Sequence, residues 1–71
     1  MHTIERITTS RVVYQGRKAL RLLPLKVDGN FIWKTGRSTL TVTRDINGCF
    51  YPMNVNLKEV RLVLKHHKVI G

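Results

Sequence analysis

The side chains able to do acid–base or nucleophilic chemistry are few and dispersed. Glu5, Asp28, Asp45 and Glu59 are the only carboxylates in the 71-residue chain, and no two lie close enough in sequence to suggest a catalytic pair. Asp28 precedes a glycine and Asp45 precedes Asn47-Gly48 by two residues, positions where an aspartate serves a turn without any further role. His66 and His67 are adjacent, so on a helix they project about 100° apart. They therefore miss the i,i+4 spacing at which two histidines share a metal, and His2 lies far away at the terminus. Cys49 is the single cysteine, which rules out an intrachain disulfide and a cysteine-based zinc cluster. Beside Phe50 and Tyr51 it reads as a small buried hydrophobe, not a nucleophile. Ser10 and Ser38 have no base near them in sequence. The segment from Trp33 to Ser38 has a lysine, a glycine and hydroxyls, but not the first glycine or the Gly-Lys-Ser/Thr order of a phosphate-binding loop. No catalytic residue, metal or cofactor is expected, and the chain reads as a binding module and not an enzyme.

Cations dominate what is left. Thirteen Lys and Arg against four acids give a formal net charge of +9, and self-repulsion of that size in a small domain is relieved by a polyanion. The cations fall into recognisable groups. Arg17, Lys18 and Arg21 follow the Gln15-Gly16 turn, while Lys34 and Arg37 flank Thr35-Gly36, with Thr35 and Ser38 able to donate to phosphate oxygens. Arg44 is set alone among apolar positions. Toward the C-terminus Lys58, Arg61, Lys65 and Lys68 recur at helical spacing. The aromatic residues Phe31, Trp33, Phe50 and Tyr51 are assigned to the core, which leaves little for a base-stacking platform and favours phosphate contact with duplex DNA.

The elements that must position these groups come from glycine punctuation and from two-residue periodicity. Asn47-Gly48 fits a two-residue hairpin turn with positive φ at both centres. The implied register sets Ile46 opposite Cys49, Arg44 opposite Tyr51 and Val42 opposite Met53. Leu40, Val42, Ile46, Cys49, Tyr51, Met53 and Val55 then share an apolar face interrupted only by Arg44, and Thr39, Thr41, Thr43, Asp45, Asn54 and Asn56 a polar one with Phe50 and Pro52 as exceptions. A second hairpin is expected about Asp28-Gly29-Asn30, with a three-residue loop that places Leu23, Leu25 and Val27 on the face of Phe31 and Trp33. Pro24 calls for an edge or a bulge. Residues 11–14 read as strand, and the segment before them is irregular.

Residues 57–68 read two ways. As a helix they have Asn56 as N-cap with Glu59 three residues on. Leu57, Val60, Val63, Leu64 and Ile70 then make one apolar stripe, which Leu62 and Val69 do not join. As a strand they alternate Val60, Leu62 and Leu64 with Arg61, Val63 and Lys65. We favour the helix.

The expected fold class is α+β, mainly β: one domain over residues 1–71, a small antiparallel sheet or barrel of three to five strands, and a C-terminal helix. The strand–strand–strand–helix order from Leu20 to Lys68 resembles small DNA-binding domains that lay a three-stranded sheet in the major groove, a likeness of architecture alone. No apolar stretch is long enough for a signal sequence or a membrane span, and a cytoplasmic location is expected. The function expected is that of a small nucleic-acid-binding protein, regulatory or accessory, acting on duplex DNA through the cations named above. The alternative is an adaptor or inhibitor that docks on an acidic protein.

Overall fold

The computed structural model of the chain describes residues 2–70. Six strands precede one helix: β1 (Ile4–Arg6), β2 (Val12–Gln15), β3 (Lys18–Val27), β4 (Asn30–Thr35), β5 (Thr39–Ile46), β6 (Cys49–Pro52) and α1 (Leu57–His66). All pairs are antiparallel, in the order β1-β3-β4-β5-β6, with β2 also paired to β3. The fold is therefore α+β, mainly β, with a C-terminal helix. Six strands occupy five lateral positions, because β1 lies along residues 25–27 of β3 and β2 along residues 18–21 of the same edge.

Pro24 explains why that edge strand is broken. Its carbonyl accepts from the Ile7 N–H at 2.6 Å, so its nitrogen points toward the same neighbour but carries no hydrogen to give. The ladder is interrupted there, residues 8–10 loop out between the Ile7 and Arg11 bonds to β3, and β3 also shifts register against β4 between Leu22 and Lys26. The bulge expected at Pro24 is present, but on an inner strand with a broken neighbour and not on the sheet edge.

The β5–β6 hairpin has the register read from its turn. Ile46 faces Cys49 and Arg44 faces Tyr51, the Met53 N–H donates to the Val42 carbonyl at 2.8 Å, and Asn47 and Gly48 have φ of 52° and 84°. A Cβ on Gly48 would meet nothing within 4 Å, so only backbone conformation opposes a side chain there. Gly48→Val is expected to cost more than about 1 kcal/mol through that strain, read as a lowered urea midpoint. An unchanged midpoint would show that the turn does not require its left-handed backbone.

The second hairpin differs from expectation by one residue, and the difference changes which face is which. Its loop is the two-residue pair Asp28-Gly29, with φ of 52° and 78°, and Val27 faces Asn30. A one-residue slip in register moves every side chain to the other face. Ile32, and not Phe31 or Trp33, therefore joins Leu25 and Val27. The principal core consists of these three with Leu40 and Val42 from β5 and Val60 and Leu64 from α1, while Leu23 packs at its margin. Each such side chain, fully buried, contributes about 1.5–3 kcal/mol.

Trp33 lies on the opposite face and is nevertheless 1% exposed. Its ring packs edge-on against Phe50 with centroids 5.1 Å apart, and its indole N–H donates to the Thr43 hydroxyl at 2.7 Å. The face expected to be polar thus holds a second small core, with Leu20 and the buried Thr43. The sheet curls enough to bring its edges together: Arg11, just before β2, stacks over the Phe50 ring of β6 at 5.0 Å. Conversely, the apolar face of the β5–β6 hairpin overhangs the core. Ile46, Tyr51 and Met53 are exposed, and so is Cys49, contrary to its expected burial, because α1 covers only the inner positions of β5.

The helix forms as its cap predicts and ends two residues sooner. The Asn56 side chain accepts from the Lys58 N–H at 3.1 Å. At the far end Lys68 takes φ 59°, and the N–H groups of Lys68 and Val69 return to the carbonyls of Lys65 and Leu64. These are the paired bonds of a Schellman stop. The reversal turns Val69 back onto the core beside Leu64, so Val69 joins the apolar cluster that periodicity alone denied it, while Leu62 is exposed. Asn56→Ala is expected to destabilise the protein by about 0.5–2 kcal/mol. A loss below about 0.3 kcal/mol in thermal unfolding would mean that the cap bond is dispensable.

Candidate nucleic-acid interface

Strand connectivity gathers the two basic turns. The β2–β3 turn carries Gly16-Arg17, and the β4–β5 loop carries Gly36, Arg37 and Ser38. In an antiparallel sheet alternate turns share an end, so Arg17, Lys18 and Arg37 meet at the end where β3 begins. Gly16 has φ 64°, suited to a tight turn with glycine at its first central position.

Arg21 and Lys34 lie directly opposite each other on neighbouring strands, and with Ala19 and Gly36 they line a shallow cleft of ≈ 320 Å³. Like charges facing each other across a sheet destabilise it by about 0.2–1 kcal/mol, and an anion seated between them reverses that sign. The helix reaches the same end. Arg61 donates from its guanidinium to the Ser38 carbonyl at 2.6 Å, and Lys58 and Lys65, three and four residues away, share its side of α1. Among the described residues none of these cations lies within ion-pair distance of a carboxylate.

The acids lie elsewhere. Glu5 pairs with Lys26 at 3.7 Å near the far end of β3. Asp45 accepts from the Gly48 N–H at 2.9 Å within the far turn. Glu59 and Asp28 border one hollow together with His2 and Asn30. The Asp28 carboxyl is held below its ordinary value, first by the hydrogen bond to His2 and then by the Thr3 N–H. A carboxyl so lowered contributes stability that is present above its unfolded pKa and is lost as pH falls through the folded one, so what Asp28 contributes here weakens only in acid. The sheet is consequently cationic at one end and contains its carboxylates toward the other.

Two of the expected contact residues fall outside this grouping. Arg44 sits at the opposite end, facing Tyr51 next to the Asn47-Gly48 turn. Lys68 lies beyond the helix, in the left-handed position that ends it, so the basic stripe comprises Lys58, Arg61 and Lys65 alone. The cations are also divided between the faces. Arg21 and Lys34 lie on the helix-covered face, whereas Lys18, paired with Gln15, lies on the Trp33 face.

Tyr14 was not among the expected contacts and is 76% exposed. It stands opposite Ala19, two residues from Val12, which faces Arg21. Its signal is position: β2 is a short strand at the sheet edge with no fully buried residue, so its side chains have little to cover them. Tyr51, assigned to the core from sequence, is likewise exposed. His66 and His67 stack edge to face at 5.3 Å, and among the described residues no three His, Cys, Asp or Glu side chains are grouped to hold a metal. No helix among them is long and apolar enough to cross a membrane.

Fold and site define a curled antiparallel sheet, backed by one helix, with a concentration of cations at one end that have no carboxylate partner among the described residues. Compared with family models, with curated proteins and with solved structures, the chain matches none.

Proposed function

We propose that the protein is a small nucleic-acid-binding module, regulatory or accessory in role and without catalytic activity, that grips the phosphate backbone of duplex DNA with the cationic end of its sheet. The observation that carries this proposal is the Arg21–Lys34 cross-strand pair, joined at the same end by Arg17, Lys18 and Arg37 and by Arg61 bonded to Ser38. A backbone with evenly spaced negative charge satisfies such a row, whereas a single buried anion would leave most of it unpaired. Direct insertion of the sheet face into a groove of the duplex is disfavoured, because α1 covers one face and the other is concave, curling over Trp33. The turns and the helix flank are what a duplex could meet.

A second function is favoured by a different feature. Ile46, Tyr51 and Met53 form an exposed apolar group around Arg44, and apolar side chains beside a charge suit docking on an acidic protein. Fluorescence anisotropy with duplex DNA, single-stranded DNA, RNA and heparin at 0.15 M salt separates the two. Nucleic-acid binding tighter than about 10 μM is expected, since looser attraction is common to basic proteins. Equal weak binding to every polyanion would support the adaptor role instead.

A further inference from the structure

The curled face holds a groove of ≈ 430 Å³, within the roughly 300–1,000 Å³ of small-molecule sites. Leu20, Trp33 and Thr43 form its floor, and Gln15 and Phe50 border it from opposite edges of the sheet. None of its lining residues is charged, so the part of a ligand that enters must be neutral. The strand ends leading out of it tell the opposite story. Lys18 is the cross-strand partner of Gln15 and lies on this same face, with Arg17 beside it in the turn. A ligand that is flat and neutral at one end and anionic at the other matches both features.

Polar groups are placed to read such a ligand. The Thr43 hydroxyl accepts from the Trp33 indole and keeps its own proton to donate. Among the described residues the Gln15 carboxamide and the Thr41 hydroxyl make no hydrogen bond, and both border the groove. A carboxamide pairs with the edge of a base through one donor and one acceptor. A nucleobase is the heterocycle that comes tethered to phosphate.

We propose that this groove takes one unpaired nucleobase of a single-stranded or locally opened segment whose phosphates pass Arg17 and Lys18. The assignment rests on the nucleic-acid function proposed above and goes further, because phosphate contact alone needs no groove. Gln15 and Thr41 contact the base edge, and the apolar lining from Val13, Leu20, Phe50 and Pro52 takes the ring.

The test uses the full chain and two DNA octamers of equal charge, one with bases and one of abasic residues. Trp33 is the only tryptophan, so its emission reports on the groove directly. The base-bearing strand is expected to bind about tenfold more tightly than the abasic one, the scale of a single stacked base, and to change Trp33 emission where the abasic strand does not. Gln15→Ala and Thr41→Val should each reduce that preference by about twofold or more and leave abasic binding within about twofold. Gln15 is exposed, so its variant is expected to keep the fold, verified by an unchanged melting temperature. Equal affinity for the two octamers would overturn the groove assignment and leave phosphate binding standing. Failure of both octamers and of duplex DNA to bind would overturn both proposals. Displacement of the octamer by an uncharged extended heptapeptide at similar concentration would assign the groove to a protein strand instead.

Discussion

Arg21→Ala with Lys34→Ala will weaken DNA binding and flatten its salt dependence by about two log–log units. If about six phosphates are neutralised, counterion release gives the intact protein a slope of roughly −5 on duplex DNA. Each phosphate contact removed takes about 0.9 from that slope. The pair is the sharpest probe available because its two side chains face each other directly and neither has a carboxylate partner among the described residues. Removing them should also relieve like-charge repulsion, so the double variant is expected to unfold at the same or a slightly higher temperature. Weak binding therefore cannot be blamed on a damaged fold. Arg44→Ala provides the control: it removes the same unit of charge at the far end of the sheet and should leave the slope nearly unchanged. If Arg44→Ala flattened the slope as much as either single substitution of the pair, net charge and not the cationic end would govern binding. The basic residues of the two turns would then lose their special standing.

Trp33→Ala is expected to have the largest effect on stability, about 3–5 kcal/mol. A chain of this length has a total stability of roughly 4–11 kcal/mol at 0.05–0.15 kcal/mol per residue, so most of the native population is at risk. Three contributions are lost together. The indole is almost wholly buried, its edge-to-face packing on Phe50 disappears, and the Thr43 hydroxyl loses the N–H it accepts. Thr43→Val isolates the last of these. It preserves shape while leaving the indole N–H buried without a partner, at about 1–3 kcal/mol. Chemical denaturation of both variants gives the comparison. A Trp33→Ala loss below about 1 kcal/mol would mean that the curled face is a solvated surface, and the groove it floors would lose its rigid wall.

The features legible in the sequence are those decided within a few residues. Asn47-Gly48 sets its own hairpin register because two adjacent residues must both adopt positive φ, and Asn56 starts α1 because its side chain satisfies a neighbouring amide. The net charge is likewise a property of composition. Asp28-Gly29-Asn30 shows where local information stops. Two-residue and three-residue loops there differ little in turn chemistry, yet they send Trp33 to opposite faces, and only the packing of Ile32 against Val60 and Leu64 selects between them. The same holds for Tyr14, Tyr51 and Cys49, whose exposure follows from where the sheet curls and where the helix stops. Val69 comes back to the core only because Lys68 reverses the chain. The cationic end has both origins: the charges are written into the chain, but their convergence requires two hairpins to turn at one end and Arg61 to reach Ser38 across 23 residues. Contacts of that separation depend on loop closure and on the burial that rewards it, which no short window of sequence contains.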